Sequence, residues 1–169
     1  MAFICTLDDD WVTTLTLLKL ETGQGEYILQ VPVGFDDETK AVISAFVCFA
    51  TVAGYGDQRY ELAFCVVIAD ADEDDYRKDG LQTSAVLRDK KDRQRVLAVI
   101  LHAVMRLIEE VNPPALFMTT YELNLPEKAL VKYDKIAGVF GSMGYKAGRG
   151  DPMHGQHIWM MENNNSPFS

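Results

Sequence analysis

Two apolar runs, "AVISAFVCFATV" at 41–52 and "YELAFCVVIAD" at 60–70, limit this chain more than any other feature. Only "AGYGDQR" separates them, and Gly54 and Gly56 suit a tight connection there because glycine tolerates positive φ. Both runs are β-branched and aromatic, and both are apolar at consecutive positions rather than at alternate ones. A strand with one wet face alternates; a strand apolar on both faces must be covered on both. The pattern therefore predicts central strands with helices packed on them.

Further elements follow from the flanking sequence. Upstream, Trp11 to Leu20 is rich in β-branched residues, "TGQG" reads as a turn and "EYILQVPV" as a second strand, which together predict a hairpin. Downstream, "ADADEDDYRKDGLQTS" reads as an exposed acidic loop. Then Val96, Val99, Ile100, Ala103, Val104, Leu107, Ile108 and Val111 recur at i, i+3, i+4 and i+7, which predicts a long buried helix over 89–111. Pro113 and Pro114 end it. "ALFMTTY" (115–121) predicts a strand. A second helix opens at Pro126 and carries Leu130, Tyr133, Ile136, Ala137 and Phe140 on one face, and a terminal hairpin closes at Gln156 to Met161. This order predicts an α+β fold, a mixed, mostly antiparallel sheet flanked by two helices. We expect one domain over 1–162 and a polar tail over 163–169.

Charge narrows the partners. The net charge is −9, divided unevenly: residues 1–80 hold 16 acidic and 5 basic side chains (net −11), and residues 81–169 hold 9 acidic and 11 basic (net +2). That balance argues against nucleic acid, which recruits basic surfaces. It leaves room for a protein partner on the acidic face or a local anion site in the second half. No apolar run has the roughly 18–20 residues a membrane span needs, and the N-terminus lacks the pattern of a signal peptide. Cys5, Cys48 and Cys65, three cysteines without metal spacing, fit a reduced, cytoplasmic chain.

The long helix begins oddly. Arg88, Lys90, Lys91, Arg93 and Arg95 crowd the end where the helix dipole is positive and acidic residues are usual. Two readings stand. The cations receive an external anion together with the helix N–H groups, or they pair internally with Asp89, Asp92 and the acidic 70–79 loop. No metal is expected. The acidic run lacks the spacing of a calcium loop, and His154 and His157 lack a suitable third ligand.

The element order resembles the core of the GNAT acetyltransferase family over about residues 41–161. The residues that carry the resemblance are Ala129 and Tyr133 in "ALVKY", Gly144–Tyr145, and Asn124 ahead of the second helix. The stretch from "RDKKDRQR" to "TTYE" also looks like small phage and bacterial proteins of that fold. The resemblance implies a GNAT-like fold, acetyl-CoA as acyl donor, and a small-molecule or protein amine as acceptor. It further implies Tyr133 as the acid that protonates the leaving thiolate, and the basic helix start with Asn124 as the coenzyme site. The family's pyrophosphate turn carries glycines; the matching place here, "RDKKDRQR", has none. A second reading is therefore a non-catalytic GNAT-like module, phage-derived and acting on a host system through a protein contact.

Overall fold

The computed structural model describes residues 2–69, 76–78 and 83–165. Among the described residues, nine strands form one mixed, mostly antiparallel sheet. In chain order the elements are β1 (Phe3–Cys5), α1 (Trp11–Leu17), β2 (Glu21–Gly23), β3 (Glu26–Asp36), β4 (Val42–Thr51), β5 (Tyr60–Ala69), β6 (Tyr76–Lys78), α2 (Thr83–Val86), α3 (Lys90–Val111), β7 (Ala115–Thr119), α4 (Glu127–Ser142), β8 (Tyr145–Arg149) and β9 (Ile158–Asn163). The spatial order is β1-β3-β4-β5-β7-β9-β8, with β2 on β3 and β6 on β5. Strands, long helix, strand, helix and terminal hairpin thus follow one another as the GNAT-like reading implied.

The two apolar runs become the central strands β4 and β5, paired antiparallel from Val42↔Ala69 to Thr51↔Tyr60. Their alternate residues split between two faces. Ile43, Ala45, Val47 and Phe49 join Leu62 and Val66 under the helices, in one core with the buried stripe of α3 and with Leu130, Ile136 and Phe140 of α4. Phe46, Cys48, Cys65 and Val67 form a smaller buried cluster on the opposite face. Each such side chain contributes roughly 1.5–3 kcal/mol by leaving water, so the helices are held by burial rather than by their ends. Asn112 ends α3 in the left-handed conformation (φ 47°), with its N–H bonded to the Ile108 carbonyl.

One segment departs from expectation. Trp11–Leu17 is a helix, not a strand. Trp11, Leu15 and Leu18 recur at helical spacing, and that periodicity outweighs the β preference of Val12, Thr13 and Thr14. Leu15 is buried, Trp11 meets His102 of α3 edge-on at 5.0 Å, and Arg106 of α3 donates to the Leu15 carbonyl at 2.6 Å. The expected hairpin survives in shorter form. β2 pairs with β3 around Gln24 and Gly25, both at positive φ, as a two-residue turn requires. The acidic segment after β5 also holds a strand, since β6 lies within it. The rest of that segment falls outside the described residues.

The feature that positions the site is on β5. β4 covers one edge of β5 along its whole length. The other edge is shared. β7 runs parallel to it at Tyr60↔Leu116 and Glu61↔Phe117 and then diverges, while β6 pairs antiparallel at Val66–Ile68. Among the described residues no strand lies against that edge at 62–65.

Candidate functional site

A cleft of about 300 Å³ lies beside this stretch, on the helix side of the sheet. Phe64 of β5 forms its floor, and Cys65, which belongs to the cluster on the opposite face, borders it. Val96, Leu97 and Ile100 of α3 form one wall and Ala129 and Val131 of α4 the other, with Leu87 closing the end. The first turns of α3 and α4 both border it. Among the described residues the lining is largely apolar, and its cationic side chains are Arg93, Lys128 and Lys132. A narrower crevice adjoins it, bordered by Leu62, Ala63, Phe64, Thr119, Tyr121, Glu122 and Tyr133. Phe64 is the wall common to both.

Tyr133 is buried in that crevice, about one turn of α4 beyond Ala129. Its ring stacks on Trp159 at 4.8 Å and meets Phe64 edge-on at 5.1 Å. Trp159 is itself anchored. Its indole N–H donates to Asp134 at 2.9 Å, and Arg149 bridges Asp134 and Glu127 at 2.9 and 3.2 Å. Burial pushes the Asp134 carboxyl up, but the Trp159 N–H and the Arg149 guanidinium outweigh it and hold the group below its usual range. The network ties the start of α4 to β8 and β9, which fixes Tyr133 beside Phe64. Tyr121 of the crevice donates to Glu61 at 3.0 Å across the diverging strands.

The five cations of the α3 start do not act as a unit. Arg93 alone of them lines the cleft. It is also a structural clamp: its Nη1 donates to the carbonyls of Leu87 (2.9 Å) and Arg88 (2.5 Å), closing the connection from α2. Arg88 donates from Nε to the Ala85 carbonyl at 3.4 Å. At about 100° per residue, Lys91 and Arg95 lie roughly 150–170° around the helix from the cleft wall. Among the described residues, none of the five stands within 4.0 Å of a carboxylate. The helix end already has a cap, since the Asp89 carboxylate accepts the Lys91 N–H at 2.6 Å.

Asn124 sits elsewhere. It lies in the turn ahead of α4 at φ 55°, donates its N–H to the Gly155 carbonyl at 2.9 Å, and borders neither cleft nor crevice. Its carboxamide packs on Gly155, where a Cβ would come within 3.0 Å of Oδ1. His154 occupies the same β8–β9 connection, and the His157 N–H donates to the Thr120 hydroxyl at 3.0 Å. Among the described residues no group of three metal-ligating side chains converges, and no helix is long and apolar enough to cross a membrane. Sequence reasoning missed Lys128 and Lys132. Their i, i+4 spacing on the first turns of α4 was the available signal, but only the packing of α4 beside α3 turns them toward a cleft.

No protein-family model matches the chain, and no curated protein matches it. Among solved structures it is similar to one described as "Crystal structure of a putative phosphinothricin N-acetyltransferase", at 14% identity and a TM-score of 0.42, over 90% of this chain and 73% of that one.

Proposed function

We propose that this chain transfers an acyl group from a pantetheine thioester, acetyl-CoA being the simplest, to an amine. The observation that carries the reading is the largely apolar cleft between the starts of α3 and α4, floored by Phe64 of β5. A pantetheine arm is a thin chain with two amides and a terminal sulfur. Such a cleft suits an extended arm, and apolar walls exclude water from the thioester. Arg93, Lys128 and Lys132 supply positive charge at the rim for the phosphate end.

In the reaction the amine nitrogen attacks the thioester carbonyl carbon. The C–N bond forms, the C–S bond breaks, and the sulfur leaves as a thiolate. Tyr133 gives that sulfur its hydroxyl proton. The attacking nitrogen releases one proton to water, and water restores the tyrosine. The crevice, reached across the shared wall of Phe64, is the acceptor side.

Calorimetric titration with acetyl-CoA and with free CoA tests the reading, followed by thiol-release assays over a panel of amines. Saturable binding of both, with thiol release on adding an amine, supports it. The Asp89-capped, glycine-free helix start favours one alternative, a non-catalytic module that binds a protein. Absence of any coenzyme binding would decide for that alternative.

A further inference from the structure

Two aromatic neighbours hold the Tyr133 ring, and they do so differently. Phe64 of β5 meets it edge-on at 5.1 Å, while Trp159 of β9 lies along it, with 4.8 Å between centroids and 13° between planes. The contact with Phe64 is packing. The contact with Trp159 is also oriented by hydrogen bonds. Trp159 is 1% exposed and stands opposite Met118 on one neighbouring strand and Arg149 on the other, so the ladder fixes its Cα. Strand pairing does not set the torsions of the indole. Asp134 does. One of its carboxylate oxygens accepts the indole N–H at 2.9 Å, and the other accepts from Arg149 at 2.9 Å. The Arg149 guanidinium carbon also lies 5.4 Å from the indole centroid. Asp134 follows Tyr133 in α4, so one helix supplies both the stacked ring and the carboxylate that holds its stacking partner. Hydrocarbon packing alone would fill the same space; bonds to a carboxylate add direction.

We infer that Asp134 is a positioning residue for acyl transfer: through the indole of Trp159 it sets the plane of the Tyr133 ring, and with it the point in the crevice from which the hydroxyl gives up its proton. The inference rests on the acyl-transfer reading above, in which Tyr133 is the acid, and adds that this acid is aimed from β9 as well as by its own helix. The bond changes are those already given; Asp134 touches neither donor nor acceptor. Aim matters because reacting groups must be held within about 0.5 Å of their productive geometry, and a misplacement of about 1 Å can cost roughly 100-fold in rate.

A double-mutant cycle in the thiol-release assay tests this on the full chain, with acetyl-CoA as donor. Trp11→Phe is the common background, so that Trp159 is the one tryptophan left to report by fluorescence. Asp134→Leu removes the acceptor of the indole N–H; Asp134→Asn keeps an acceptor and loses only the charge. The leucine variant should lower kcat about ten-fold or more while KM for acetyl-CoA changes less than about two-fold. The asparagine variant should recover most of that rate. Added to Tyr133→Phe, Asp134→Leu should cost less than about two-fold further, because the group it aims no longer carries the proton. Quenching of Trp159 by acrylamide should rise in the leucine variant and not in the asparagine one. Trp159→Phe keeps a ring in the stack without an N–H; it should give the same loss of kcat and stands in if Asp134→Leu does not fold. A loss that multiplies undiminished in the Tyr133→Phe background, an equal loss from asparagine and leucine, or no loss at all would overturn the inference and leave acyl transfer standing. No thiol release from the parent with any amine, or a Tyr133→Phe rate equal to the parent's, would remove the reading beneath it, and the inference would fall with that reading.

Discussion

Neutralising the cations of α3 should produce opposite effects on stability according to which are removed. Lys90, Lys91 and Arg95 face the positive end of the helix dipole without a carboxylate within 4.0 Å among the described residues. Lys90 and Lys91 each cost about 0.3 kcal/mol there and Arg95, beyond the first turn, costs less; glutamine has a similar helix propensity, so the triple change to glutamine should stabilise the protein by about 0.5–1 kcal/mol. Arg93 bears the same dipole penalty but donates two charge-assisted bonds to the Leu87 and Arg88 carbonyls. At an exposed site these are worth about 1 kcal/mol each, so Arg93→Gln should destabilise by about 1–2 kcal/mol. Arg93→Lys should lose nearly as much, because an ammonium keeps the charge but lacks the planar fork. Urea unfolding followed by far-UV circular dichroism resolves the difference. At a slope of about 2 kcal/mol per molar, the triple variant should raise the midpoint by roughly a quarter to half a molar, and Arg93→Gln should lower it by roughly half to one molar. High salt should shrink the gain of the triple variant and leave the Arg93 loss largely intact. A triple variant clearly weaker than the parent would mean that those cations are paired, with the acidic 70–79 segment as the partner. An Arg93→Gln protein as stable as the parent would refute the clamp.

Tyr145 gives a pH signature. Its hydroxyl donates to the Pro113 carbonyl at 2.6 Å, and burial pushes its pKa from 10.0 to about 12. The folded state therefore keeps the proton that the unfolded chain loses, so about 2–3 kcal/mol of stability present below pH 10 should vanish as pH rises to about 12. Tyr145→Phe should cost about 1–2 kcal/mol at neutral pH and flatten that alkaline limb in thermal melts. In an acyl-transfer assay, Tyr133→Phe should lower kcat by about ten- to a thousand-fold with little change in coenzyme affinity; an unaffected rate would remove Tyr133 from proton delivery. Val131→Trp, at an exposed position of the cleft wall, should block coenzyme binding by calorimetry while the fold persists, whereas retained affinity would show that the cleft is not the arm's site. Asp89→Ala should destabilise α3 by about 1 kcal/mol through loss of its cap, read as a lower urea midpoint.

The main elements were legible because each is dictated by local pattern. The buried stripe of α3 from Val96 to Ile108, the turn at Asn112–Pro113–Pro114, the start of α4 at Pro126 and the central strands β4 and β5 all lie where periodicity and backbone chemistry put them. Where two local signals conflicted, as at Trp11–Leu17, β propensity misled, because contacts with His102 and Arg106, about ninety residues away, select the helix. The site was less legible still. Arg88, Lys90, Lys91, Arg93 and Arg95 read as one cluster in a string of letters, yet helical rotation separates them, and only Arg93 reaches the cleft. Asn124 seemed to belong with them by order along the chain, but its turn folds against Gly155. Lys128 and Lys132 join Arg93 only because α4 packs beside α3. The cleft has no signature in residues 62–65 themselves, which read as ordinary strand. It exists because α3 and α4 pack side by side over Phe64 of β5. Periodicity records which face of an element is apolar. Which two elements leave space between them is a property of strand pairing and helix packing, and that is decided only when distant parts of the chain meet.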